Sequence, residues 1–137
     1  MTAAAFVPAA LLLGLLSTAC THVPTQFGGS WPLPAQHKSS AAIDVGRPVI
    51  EPMAGGLRVS GYVKKQVDAA TSANSHIDVQ FIDASGSILL EKPTAFVPGD
   101  LGGGSLRSRP SAHYETTVAA VPVGTAEVRV VAHDQSH

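Results

Sequence analysis

Residues 75–83 read SHIDVQFID, and their alternation decides the class of fold. Ile77, Val79 and Phe81 fall on one side of an extended chain and His76, Asp78 and Gln80 on the other, because successive side chains of a strand point to opposite faces. The stretch therefore predicts a half-buried strand, with the first set in a core and the second facing outward. Asp83-Ala84-Ser85-Gly86 then supplies turn chemistry,. Residues 87–91 return as the second strand of a hairpin. Pro93, Pro98 and the Gly-rich run 99–105 stop any ladder beyond it, because proline cannot donate to one. Gly102-Gly103-Gly104 is read as a flexible loop: it lacks the Gly-x-Gly-x-x-Gly spacing of a phosphate cradle, and no helix pattern follows,. Arg107 and Arg109 beside it read as a solvated edge,.

The same period extends outward on both sides. In residues 57–65 (LRVSGYVKK), Leu57, Val59, Gly61 and Val63 share one face while Arg58, Ser60, Tyr62 and Lys64 share the other. Gly55-Gly56 makes a tight turn before it, and residues 48–53 form the preceding strand, confined to an edge by Pro48 and Pro52,. Toward the C-terminus, residues 112–119 turn Tyr114, Thr116 and Val118 inward, and residues 125–133 do the same with Ala126, Val128, Val130 and Ala132. Residues 122–124 join these two as a hairpin. Short β-rich segments at this spacing, with no sustained helical period, imply an all-β fold of two packed sheets.

Two of these segments, HIDVQFIDASGSILLEK and YETTVAAVPVGTAEVRVVAHD, resemble the strand pairs of small bacterial immunoglobulin-like periplasmic domains. The likeness implies a small immunoglobulin-like or fibronectin type III-like antiparallel β-sandwich over residues 45–137. It brings no catalytic residue with it. The cysteine pair and core tryptophan of true immunoglobulin domains have no counterpart, since Trp31 lies upstream of the strands.

Composition narrows the function. A formal charge of -1, with 14% charged and 45% hydrophobic residues over 137, excludes a disordered chain and leaves room for one small domain. Lys64 and Lys65 do not make a basic face, so nucleic acid is not an expected partner.

The N-terminus reads as an address. Residues 1–19 carry no charged side chain and hold a dense apolar run over 9–16, closed by Ser17, Thr18 and Ala19. This is the architecture of a signal peptide, shorter than the ~20 apolar residues of a spanning helix. Cys20, the single cysteine, can form no internal disulfide. The run LSTAC resembles the lipobox of bacterial lipoproteins, differing from its usual form in having Ser17 three places before the cysteine and no Lys or Arg near the start. The resemblance implies cleavage before Cys20, covalent lipid on Cys20, and a membrane anchor. Thr21 in place of an aspartate implies sorting to the outer membrane, facing the periplasm. An ordinary secreted protein with a free cysteine is the alternative. Residues 20–44, rich in Pro, Gly and Ser and without apolar period, are read as a flexible tether between lipid and domain,.

Chemistry has few places to sit. With residues 112–119 and 125–133 paired as a hairpin, His113 would come beside His133, and an antiparallel neighbour would bring His76 to the same rim. His137, close to Asp134, would complete a site for Cu(II) or Zn(II); unengaged surface histidines are the alternative. No serine lies in a Gly-x-Ser-x-Gly setting, and Asp78, Glu115 and Glu127 are assigned to outward faces, where solvent cannot raise a carboxyl pKa for acid catalysis. The expectation is therefore a non-enzymatic, lipid-anchored envelope module with no cofactor. It would bind an envelope protein through its strand edges and Gly-rich loop, with periplasmic copper or zinc binding as the alternative.

Overall fold

The computed structural model describes residues 32–67, 69, 75–102 and 110–134. Every regular element among them is a strand: β1 Ala35–Lys38, β2 Ile43–Val45, β3 Val49–Met53, β4 Gly56–Lys65, β5 His76–Asp83, β6 Ile88–Thr94, β7 Phe96–Val97, β8 Ser111–Val118 and β9 Thr125–His133. The signal-peptide reading, Cys20, His137, Gly103, Gly104, Arg107 and Arg109 lie outside the described residues.

The strands form a small β-sandwich. One sheet runs β1-β9-β5-β6; the other runs β4-β8-β7, with β2 and β3 both on the far side of β4. β2 and β3 are two pieces of one edge strand, and between them the Gly46 N–H still donates to the Tyr62 carbonyl at 2.8 Å. The order β3-β4-β8-β7 against β6-β5-β9 is that of strands A, B, E and D of an immunoglobulin sandwich facing C′, C and F. The place beside β9, where that fold has its last strand, is filled from the other end of the chain by β1, which runs parallel to β9 with Ala35 opposite Val128.

Three expectations need correction. The sandwich does not begin at residue 45, because β1 and β2 lie within the segment read as tether and Leu33 and Ala42 are buried. AQHK has no strand lettering of its own, and its order is imposed from outside. The Pro34 carbonyl accepts from the Val128 N–H at 2.9 Å, and the Asp134 carboxylate accepts from the Ser40 hydroxyl and from the N–H groups of Ala41 and Ala42 at 3.0 and 3.1 Å. Second, β8 and β9 are not a hairpin. Residues 119–124 carry the chain from one sheet to the other, so β8 pairs with β4 and β7 while β9 pairs with β5 and β1. Third, the ladder does not stop at Pro93, which pairs with Asp78 inside β6; β6 is an edge strand, where a missing N–H can face solvent.

The inward faces match their lettering. Leu57, Val59, Val63, Ile77, Val79, Phe81, Tyr114, Val128 and Val130 are buried between the sheets. Each such side chain contributes about 1.5–3 kcal/mol by leaving water. Gly61 belongs to this face for a steric reason: a Cβ there would lie 2.5 Å from the hydroxyl of Tyr114, its partner across the ladder. The outward face of β5 departs from expectation, because Asp78 and Gln80 are buried as well.

Candidate functional site

The feature with most chemistry grows out of that buried outer face. β5 and β9 pair antiparallel with His76 opposite His133 and Asp78 opposite Val131, so the two imidazoles meet at the end of the ladder one step from the carboxylate. Their rings stack with centroids 5.2 Å apart and planes 15° apart. Both Nε2 atoms approach Asp78, His133 at 3.1 Å from Oδ2 and His76 at 3.8 Å from Oδ1. Asp78 is only 1% exposed, whereas the His76 and His133 side chains are 18% and 37% exposed. Val131 and Pro93 flank the carboxylate in its own row. Removing a carboxylate from water is costly without compensating partners, and the two imidazoles are among the groups beside it.

The expected histidine rim therefore forms only in part. His76 and His133 come together as predicted. His113 does not join them, because β8 lies in the opposite sheet; its ring packs edge-on against Tyr62 at 5.1 Å, on the outer face across a sandwich about 10 Å thick. Asp134, whose expected neighbour His137 lies outside the described residues, caps residues 40–42. Among the described residues, no group of three or more His, Cys, Asp or Glu side chains is gathered as a metal site. Asp78 belongs to the cluster as well, since the two-residue spacing puts it on the same face as His76.

The rest of this outer face is tied together by polar contacts. Gln80 donates to Glu91 at 2.7 Å, Arg129 donates to Glu127 at 2.5 Å, and Gln36 from β1 reaches Glu127 at 3.1 Å. Glu127 is thus held by a cation and an amide rather than set against Asp78. Glu115 lies on the other sheet, exposed and opposite Ser60. At the β5–β6 turn, Asp83 accepts from the N–H groups of Ser85 and Ser87 and from the Ser85 hydroxyl. These bonds, the hydroxyl first, hold its carboxyl below the ordinary range.

No protein family, curated protein or solved structure matches the chain.

Proposed function

We propose that the protein is a lipid-anchored lipoprotein of the cell envelope whose β-sandwich serves as a binding or structural module for an envelope protein. The observation that carries this reading is the apolar N-terminal run closed by LSTAC, in which the chain's single cysteine occupies the acylated position. One acyl chain holds a protein marginally and two or more hold it stably, so a fully acylated Cys20 anchors the domain at the outer membrane on its periplasmic side. The partner half of the reading is supported by sheet edges: among the described residues, β3 and β6 each pair on one side only, leaving backbone to which an extended segment can add. Replacing Cys20 by Ser should move the protein out of the membrane fraction or leave it unprocessed. Cross-linking in intact cells should recover an envelope protein attached near β3 or β6; recovery of none counts against the partner half alone.

A second reading, binding of Cu(II) or Zn(II), is favoured by one observation. Two ligands of a tetrahedral ion, each bonded at about 2.0–2.2 Å, stand about 3.3–3.6 Å apart. The nitrogen–oxygen distances around Asp78, 3.1 Å from His133 to Oδ2 and 3.8 Å from His76 to Oδ1, bracket that edge; the three side chains are not gathered on one point, so binding would require both rings and the carboxylate to turn toward a common ion. Calorimetry with either ion should then give a heat that His76→Ala or His133→Ala removes and His113→Ala leaves intact. A heat unaffected by the first two changes rules out this donor set.

A further inference from the structure

The two ends of the sandwich differ in charge. Three connections meet at one end: the β3–β4 turn at residues 54–55, the β5–β6 turn at 84–87, and the sheet crossing at 119–124. Two contacts place them together. A Cβ on Gly56 would sit 2.1 Å from the Val118 carbonyl oxygen, and Asp83 pairs with Thr125. None of the residues in these three connections is Asp, Glu, Lys, Arg or His. Around them Val123 is 83% exposed and Ile88 51%, with Leu89 and Met53 also open to solvent. The nearest carboxylate, Asp83, is turned back into its own turn by the hydrogen bonds from Ser85 and Ser87. The opposite end also exposes apolar side chains, Tyr62, Val67 and Val97, but there they stand among Lys64, Lys65, His76, His133 and Asp134; what sets the first end apart is the absence of charge in its connections.

The N-terminal segment joins the domain at the uncharged end. Because β1 runs parallel to β9, Ala35 lies beside Val128 near the start of β9, and Pro34 bonds to Val128 as well. The thirteen residues 21–33 between Cys20 and Pro34 span at most roughly 43–47 Å,. The far end lies a further strand length away, about 27 Å for an eight-residue strand such as β5,.

We propose that the uncharged end is a membrane-contact surface. Val123, Ile88, Leu89 and Met53 enter the interfacial layer of the bilayer that holds the acylated Cys20, and the His76–Asp78–His133 end points away from the lipid. The inference rests on the lipid-anchor reading and adds an orientation to it. Apolar side chains gain by leaving water, and connections without charge have no ion to desolvate on entering the interface. The anchor keeps the domain at high local concentration beside the bilayer, so a contact too weak to bind lipid alone suffices.

The test uses full-length acylated protein reconstituted into phosphatidylethanolamine–phosphatidylglycerol vesicles. Acylated Cys20 is a thioether, so Val123→Cys or Lys64→Cys introduces the sole free thiol for a fluorescent label. Spin-labelled lipid should quench the label at 123 several-fold more than the label at 64. Adding Ile88→Asp to Val123→Cys should shift the contact roughly tenfold toward the lifted state, the scale of burying one aliphatic side chain. Val123, Lys64 and Ile88 are all exposed, so these variants fold. Equal quenching at the two positions, in protein whose N-terminal acyl mass is confirmed, overturns the orientation alone. Absence of acyl mass overturns the anchor reading on which it rests.

Discussion

β4 and β5 are both interior strands with the same alternating lettering, yet only β4 leaves outer side chains in water. On β4, Tyr62 and Lys64 are exposed and Arg58 and Ser60 half-buried; on β5, Asp78, Gln80 and Ile82 are buried. The cause is what stands beside each strand. The outer neighbours of Asp78 are Val131 and Pro93, and those of Gln80 are Arg129 and Glu91, side chains long or broad enough to close over the row. Tyr62 has only His113 on one side, and on the other it meets Gly46, which has no side chain to offer. Alternation identifies the face that can enter a core, but exposure of the other face depends on neighbouring strands.

The comparison can be broken first where the two strands should behave most differently. Phe81→Ala on the inner face of β5 should cost about 3–5 kcal/mol in denaturant unfolding, whereas Tyr62→Ala on the outer face of β4 should stay within about 0.5 kcal/mol. Similar costs would mean that Tyr62 is covered in solution. Gly61→Ala tests how tightly the inner face of β4 is filled. With Tyr114 lying across it, overpacking should cost about 1–3 kcal/mol, and most of that should disappear in a Tyr114→Val background.

The outer face of β5 gives a smaller effect. His133→Ala removes the imidazole 3.1 Å from Asp78 and should destabilise by about 1–3 kcal/mol, the scale of weakening what compensates a buried polar group. His113→Ala, on the outer face of the other sheet, should change little. Equal effects would show that the cluster does not compensate Asp78. The smallest effect is a pH dependence at the alkaline end. Burial pushes the Tyr114 hydroxyl up to about 12 from 10.0. Its contribution is therefore full below pH 10 and declines as pH rises from there through 12, because the unfolded chain releases this proton first. Tyr114→Phe should flatten that decline in thermal melts taken across the range.

Much of the fold was legible because its decisive residues obey a local rule. Leu57, Val59, Val63, Ile77, Val79, Phe81, Tyr114 and Val128 lie inside where period 2 puts them. What was not legible depends on distant partners. AQHK carries no strand signal, and β1 exists because Pro34 and Asp134 hold its flanks. The Pro-containing connection after β8 suits a hairpin or a crossing between sheets equally well, and choosing the hairpin brought His113 to the wrong face. The His76–His133 pair was legible, since it required only that β5 and β9 be antiparallel neighbours. The burial of Asp78 is not legible in period 2, because an outward phase does not imply exposure when Val131 and Pro93 close over it.

The proposed function is tested most directly by the intact mass of the mature chain purified from the membrane fraction. The account predicts a polypeptide that begins at Cys20 and carries the added mass of a diacylglyceryl group and an N-terminal acyl chain. A chain that retains residues 1–19, or one that begins at Cys20 with an unmodified thiol, would contradict it.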